Sequence, residues 1–96
     1  MPFEWADAKE RSNISKHGVS FALAQQIFDR PVVTLEDDRF DYGERRQVSI
    51  GCVGEIVVLA VVHTDRNGSV RIISARTASR KERLNYERAI RQGPRA

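Results

Sequence analysis

Two histidines, thirteen arginines and a single cysteine bound the chemistry open to this 96-residue chain. A metal centre is poorly supplied, because His17 and His63 lie far apart and neither has a second ligand at helical spacing. The acids Glu36, Asp37, Asp38, Asp41 and Glu44 lack the glycine placement of a calcium loop. A covalent nucleophile is no better served. There is no Gly-x-Ser-x-Gly elbow, and Cys52 has no histidine close in sequence. Gly51-Cys52-Val53-Gly54 reads as a hairpin turn, since a phosphate-cradling loop needs a helix to follow it. One reaction asks for less. Cleavage of RNA by its own 2′-hydroxyl needs a base, an acid and cations around the phosphorus, without metal or cofactor.

Histidine titrates near neutrality, with an unperturbed pKa of about 6.5, and arginine presents a planar fork of donors matched to phosphate. His63 ends an apolar stretch that Arg46, Arg71 and Arg76 could flank in a sheet, so it is either the base or acid or a packing residue. His17 stands beside Lys16 at an expected helix C-terminus, where an imidazole also serves as a plain cap favoured by the dipole. A regular strand over Arg71–Arg76 would send Ile72, Ser74 and Arg76 one way and Arg71, Ile73 and Ala75 the other. At most one of the two arginines then faces a given site. Arg76 is favoured, because it leaves the strand beside a basic helix. Tyr86 on that helix either bonds a phosphate or packs.

Charge is unevenly spread. Residues 1–65 carry 7 basic and 11 acidic side chains, whereas residues 66–96 carry 9 basic and 2 acidic ones. A concentrated cationic stretch attracts phosphate backbones without regard to sequence, and it equally suits an acidic protein or a merely solvated helix. Residues 1–96 are expected to form one domain with a modest core. One cysteine precludes an internal disulfide, and the longest apolar run, Ile56–Val62, is far too short to cross a bilayer. No signal peptide is recognisable, so a cytoplasmic setting is expected.

The elements follow from turn and cap residues. Phe3-Glu4-Trp5 reads as a short strand. Asp7 and Glu10 have the spacing of a capping box for a helix over 8–16, which Gly18 would stop. Ser20 caps a second helix with Phe21, Ala24, Ile27 and Phe28 on one face, ended by Pro31. Strands are expected at Pro31–Leu35, Arg46–Ile50, Glu55–His63 and Ser69–Thr77, with an acidic loop at Glu36–Glu44 and turns at 51–54 and 65–68. Ser79 and Glu82 form a second capping box, opening a basic helix with Leu84, Tyr86 and Ile90; the tail Gly93–Ala96 is expected to fray. The order predicts an α+β fold, an antiparallel sheet with two N-terminal helices and one C-terminal helix. Two helices cover only one face, leaving the other open for a ligand.

Several spaced motifs add to this. Phe3-Glu4-Trp5, Asp7, Lys9, Asn13, Lys16-His17-Gly18 and Phe21 resemble the N-terminal signature of the BrnT family of type II toxins. Arg46 before a strand ending Ile50-Gly51 resembles the family's middle, and Arg71–Arg76 with Glu82 and Tyr86 its C-terminal motif. The resemblance spans about residues 3 to 87. It implies a RelE-like fold, ribonuclease activity, which the residue inventory above reads as a metal-independent endoribonuclease, and a BrnA-like antitoxin with a ribbon-helix-helix module. It also implies that DNA is bound only through the antitoxin, in a complex that represses its own operon. Carried onto this chain, Arg46 and Arg76 are expected to stabilise the phosphate, with Lys16 and His17 assisting substrate binding or proton transfer, while His63 is a candidate for proton transfer from its residue type and strand position alone. Lys9, Lys16, Arg71, Arg80 and Tyr86 are the expected RNA contacts. The family often has an aromatic residue at the position of His63, so the resemblance does not imply a histidine base there. Two other readings remain open from the residues: a non-catalytic nucleic-acid-binding or transcription-regulating module, and a protein whose arginine-rich helix docks an acidic partner.

Overall fold

Turn and cap residues punctuate a meander of strands flanked by helices. A computed structural model of the chain describes residues 2–37 and 43–92. The order is β1 (Phe3–Glu4), α1 (Asp7–His17), α2 (Phe21–Ala24) continued by a 3₁₀ segment (Gln25–Asp29), β2 (Val33–Asp37), β3 (Arg46–Val53), β4 (Val57–Arg66), β5 (Ser69–Thr77) and α3 (Arg80–Gln92). One sheet runs β1-β5-β4-β3-β2. Every pairing is antiparallel except that of β1 with β5, which is parallel. The class is α+β, with a mostly antiparallel sheet.

Local chemistry explains most boundaries. Asn67 and Gly68, with φ of 55° and 84°, make the tight turn between β4 and β5. Gly18, at φ 70°, closes α1 by returning its N–H to the Ile14 carbonyl. The Ser20 hydroxyl accepts from the Leu23 N–H, and Ser79 and Glu82 exchange the reciprocal bonds of a capping box at α3. The box expected at Asp7 and Glu10 does not form. Asp7 already lies inside α1, and Glu10 instead accepts from the Phe21 N–H, tying α1 to α2. The second helix is one α-turn followed by a 3₁₀ turn. The two N-terminal helical segments therefore offer no long second helix of the kind that reads DNA in a helix-turn-helix. The expected loop at 36–44 and tail at 93–96 fall largely outside the described residues.

Both sheet faces carry helices. On one, Val19, Phe21, Ala24 and Ile27 pack with Leu59, Val61, Ile72 and Ala75, all buried. Each large side chain withdrawn fully from water contributes about 1.5–3 kcal/mol. The opposite face carries Ile50, Val58 and Ala60, covered by Tyr86 of α3. The open face expected from two helices is therefore open over only part of its length.

The turn expected at Gly51 is strand instead, because β3 continues to Val53. Gly51 is buried beneath the 3₁₀ turn, and a Cβ there would lie 2.8 Å from the Ile27 Cβ and 2.9 Å from the Val32 Cγ1. Its lack of a side chain lets the helical segment close onto the sheet. Gly51→Ala is expected to destabilise the fold by about 1–3 kcal/mol, read as a lower urea midpoint with an unchanged slope.

Candidate nucleic-acid interface

The pairing of β4 with β5 contains one irregularity. Val62 pairs with Ser74 but His63 pairs with Ile72, so Ile73 is an extra residue, a β-bulge. The bulge reverses the alternation beyond it. Ile72 and Ala75, three apart, are both buried on the helical face. The expectation that Arg71 and Arg76 point to opposite sides is therefore corrected, because it assumed a regular strand. Paired residues share a face: Arg71 lies opposite Thr64, Ser74 opposite Val62 and Arg76 opposite Ala60. Both arginines stand on the face away from α1 and α2.

Arg46 joins them. The register that pairs Gln47 with His63 brings Arg46 level with Thr64, between Asp37 and Arg71. One row across the sheet thus reads Asp37, Arg46, Thr64, Arg71 and Glu4. The next row holds Leu35, Val48, Val62 and Ser74, and the one after it Val33, Ile50, Ala60 and Arg76. Arg46 and Arg71 are two strand spacings apart, about 10 Å, and Arg76 stands about 13 Å further along β5. Between them lies an apolar strip. Leu35 in it is 58% exposed, and Leu35, Asp37, Val48, Arg76 and Glu82 line one cleft of about 180 Å³.

Carboxylates hold each guanidinium. Arg71 Nη1 donates to Glu4 Oε2 at 2.6 Å, and Arg46 Nε to Glu44 Oε2 at 3.2 Å. Arg76 makes a bidentate pair with Glu82, at 2.7 and 2.9 Å. The Arg76 bonds and those from Ser79 hold the Glu82 carboxyl at about 2, against a usual 4.5. Sequence reasoning read Glu82 only as a cap. Its grip on Arg76 crosses a strand-to-helix corner, which no helical spacing reveals.

A basic cleft, also of about 180 Å³, follows the edge of β5, lined by Lys9, Ser12, Asn13, Lys16, His17, Ile73 and Ser74. β1 pairs only with Val70 and Arg71, which leaves the rest of that edge to α1. Asn13 completes it. Its amide donates to the Ala75 and Val19 carbonyls at 2.7 and 2.9 Å, and its oxygen accepts from the Ala75 N–H at 3.0 Å. Asn13 is the one buried residue of α1. A lone buried amide leaves no periodic signal, so its clamping role was not legible. Ser74 belongs to the arginine face and also lines this cleft, which links the two surfaces.

The structure does not bring His63 to the arginines. His63 is 7% exposed on the helical face, bonded to Ser49, edge-on to the Phe28 ring and lowered in pKa by burial. Tyr86 is placed in its packing role, 8% exposed beneath α3, with its phenol pKa raised by burial. Arg80 is exposed on the first turn of α3.

The family model described as "Ribonuclease toxin, BrnT, of type II toxin-antitoxin system" matches residues 5–82. Among curated proteins no sequence matches the chain. Among solved structures, the crystal structure of the Brucella abortus ribonuclease toxin BrnT is similar, with a TM-score of 0.62 and 26% identity. That match covers 83% of this chain and 99% of the Brucella one.

Because the Glu82 carboxyl is depressed in the fold, its pairing supports stability above pH 4.5 and is lost as pH falls toward about 2. Thermal melts of Glu82→Gln between pH 6 and 2.5 are expected to show a shallower acid loss than the parent, with the two converging at the acid end.

Proposed function

The chain belongs to the BrnT family of ribonuclease toxins of type II toxin–antitoxin systems, and on that premise we propose that it is a metal-independent endoribonuclease silenced by an antitoxin. The observation that carries the reading is the gathering of Arg46, Arg71 and Arg76 on one sheet face, beside a strip in which Leu35 is exposed and Val62 buried. Arg46 and Arg71 bind the phosphates of an RNA strand. Arg76 stabilises the charge that accumulates when the 2′-hydroxyl attacks phosphorus and the 5′-oxygen departs. The attacking hydroxyl gives up one proton and the leaving oxygen takes one, so a cyclic phosphate and a free 5′-hydroxyl result. His17, with Lys16 and Lys9 in the cleft joined to this face by Ser74, exchanges those protons and holds the flanking backbone. Arg80 extends the cationic track along α3.

The Arg pairs are partly solvated. A doubly charged phosphorane competes with the carboxylate for the guanidinium, since both accept charge-assisted hydrogen bonds. The flanked sheet supports the RelE-like reading of the fold. An antitoxin with a ribbon-helix-helix module would cover the arginine face and carry the pair to operator DNA. Among the described residues no helix is long and apolar enough to cross a membrane, in keeping with a cytoplasmic toxin.

Purified chain freed of antitoxin is expected to cut RNA in excess EDTA. Arg76→Ala should lower the rate by about 10²–10³ with an unchanged far-UV spectrum, and Arg46→Ala should weaken RNA binding. RNA left whole at every salt concentration tried would overturn the assignment.

A further inference from the structure

The helical face of the sheet is covered unevenly, and its bare part has a chemistry unlike that of the arginine face. Beyond Phe28 lies a cleft of about 560 Å³, with Ser49 and His63 in its floor. Ser49 is wholly buried, and its hydroxyl bridges Thr34 Oγ1 at 2.8 Å and His63 Nε2 at 2.7 Å. The His63 ring also meets the Phe28 ring edge-on, with centroids 5.2 Å apart and planes at 88°. Its orientation is fixed from two sides. This order serves no step of the chemistry on the opposite face.

We propose that this cleft is a nucleobase pocket, receiving one unstacked base of the single-stranded RNA whose phosphates lie on the arginine face. It rests on the ribonuclease reading and adds to it a source of base preference. Three observations carry it. First, the walls combine Phe28, Val32 and Val70 with the polar groups of Thr34, Gln47 and Asp65, a mixture that suits a flat apolar ring with a hydrogen-bonding edge. Second, the described residues lining the cleft include Asp65 and no lysine or arginine, which disfavours a phosphate and leaves a neutral ligand. Burial also lowers the His63 pKa, which disfavours its charged form. Third, the cleft continues toward the arginines. Gln47 and Asp65 also line a neighbouring cleft of about 380 Å³ at the sheet end, with Glu44, Arg45 and Thr64, the last of which stands between Arg46 and Arg71. A nucleotide anchored by its phosphate at those arginines can turn its base around the end of β3 and β4.

The pocket is tested on the whole chain by proton NMR of its two histidines, with the four ribonucleosides and inorganic phosphate added separately. At least one nucleoside should shift the His63 imidazole signals saturably and leave those of His17, exposed on α1, in place. Phosphate should leave His63 unmoved. Thr34 is exposed on an edge strand that tolerates an aromatic residue, so Thr34→Phe should fold and obstruct the mouth. It is expected to weaken nucleoside binding about tenfold and to even out base preference at the cut sites. Gln47→Ala should do the same without adding bulk. The pocket is overturned if no nucleoside moves His63, if phosphate moves it instead, or if both variants cut with the parent's preference. Movement of His63 by added antitoxin alone would likewise overturn it, assigning the cleft to a protein side chain. Nucleoside binding without RNA cleavage would uphold the pocket while sinking the nuclease reading.

Discussion

Between the pairs Val62–Ser74 and His63–Ile72 the β4–β5 ladder takes up one extra residue, Ile73, and the charge layout of the molecule depends on it. In a regular strand, Arg71 and Arg76 would lie on opposite faces. One guanidinium would then enter the packed side among Phe21, Ile27 and Leu59, where an uncompensated charge costs several kcal/mol. The bulge resolves this by letting Ile72 and Ala75 both reach the core while both arginines leave it. A bulge on a strand with a free edge needs support, which Asn13 supplies by bonding both backbone groups of Ala75. Leaving either group buried and unpaired would cost about 1–3 kcal/mol. Helix α1 thus does two things with one surface: its amide holds the strand, and its lysines and histidine line the cleft beside it.

The arginine face is ordered by local neutralisation. Glu4 and Glu82 each hold one guanidinium, Glu44 holds those of Arg46 and Arg66, and Glu82 simultaneously caps α3. Lysine could not replace arginine in the last pair, because a point charge cannot make two parallel bonds to one carboxylate. The carboxylates also keep a row of like charges from repelling one another in the absence of a polyanion. Salt then acts in two opposed ways, screening the internal pairs and the external attraction together.

Much of the fold was legible because its signals are local. Asn67-Gly68, Gly18, Ser20 and the Ser79–Glu82 box each act within four residues, and all four features stand where the sequence put them. Asp7 failed as a cap because Glu10, its partner in the motif, was taken by Phe21, eleven positions away. Gly51 was misread for the same reason: its glycine answers to Ile27 and Val32 across space rather than to a turn. For the candidate site, residue types were readable and their sides were not. Period-two alternation predicts orientation only while the ladder stays in step, and nothing in Arg71–Arg76 announces an extra residue. His63 shows the same limit, since a histidine among valines gives no sign of which face it will join.

That division of faces separates two kinds of recognition that a single surface handles badly. A cationic site lowers the energy of any phosphate it meets and so discriminates little between sequences. Discrimination needs fixed donors and acceptors in a place where water is scarce, which strong nearby charges tend to hydrate. With the sheet as a partition, Arg46, Arg71 and Arg76 stand partly solvated on one face, each held by a carboxylate. Thr34, Ser49 and His63 meanwhile form a chain of bonds whose middle member has no contact with solvent. The burial that lowers the His63 pKa makes it a poor proton acceptor for chemistry at neutral pH. The same burial disfavours the charged ring, so His63 faces the cleft with an imidazole held in place by Ser49 and Phe28.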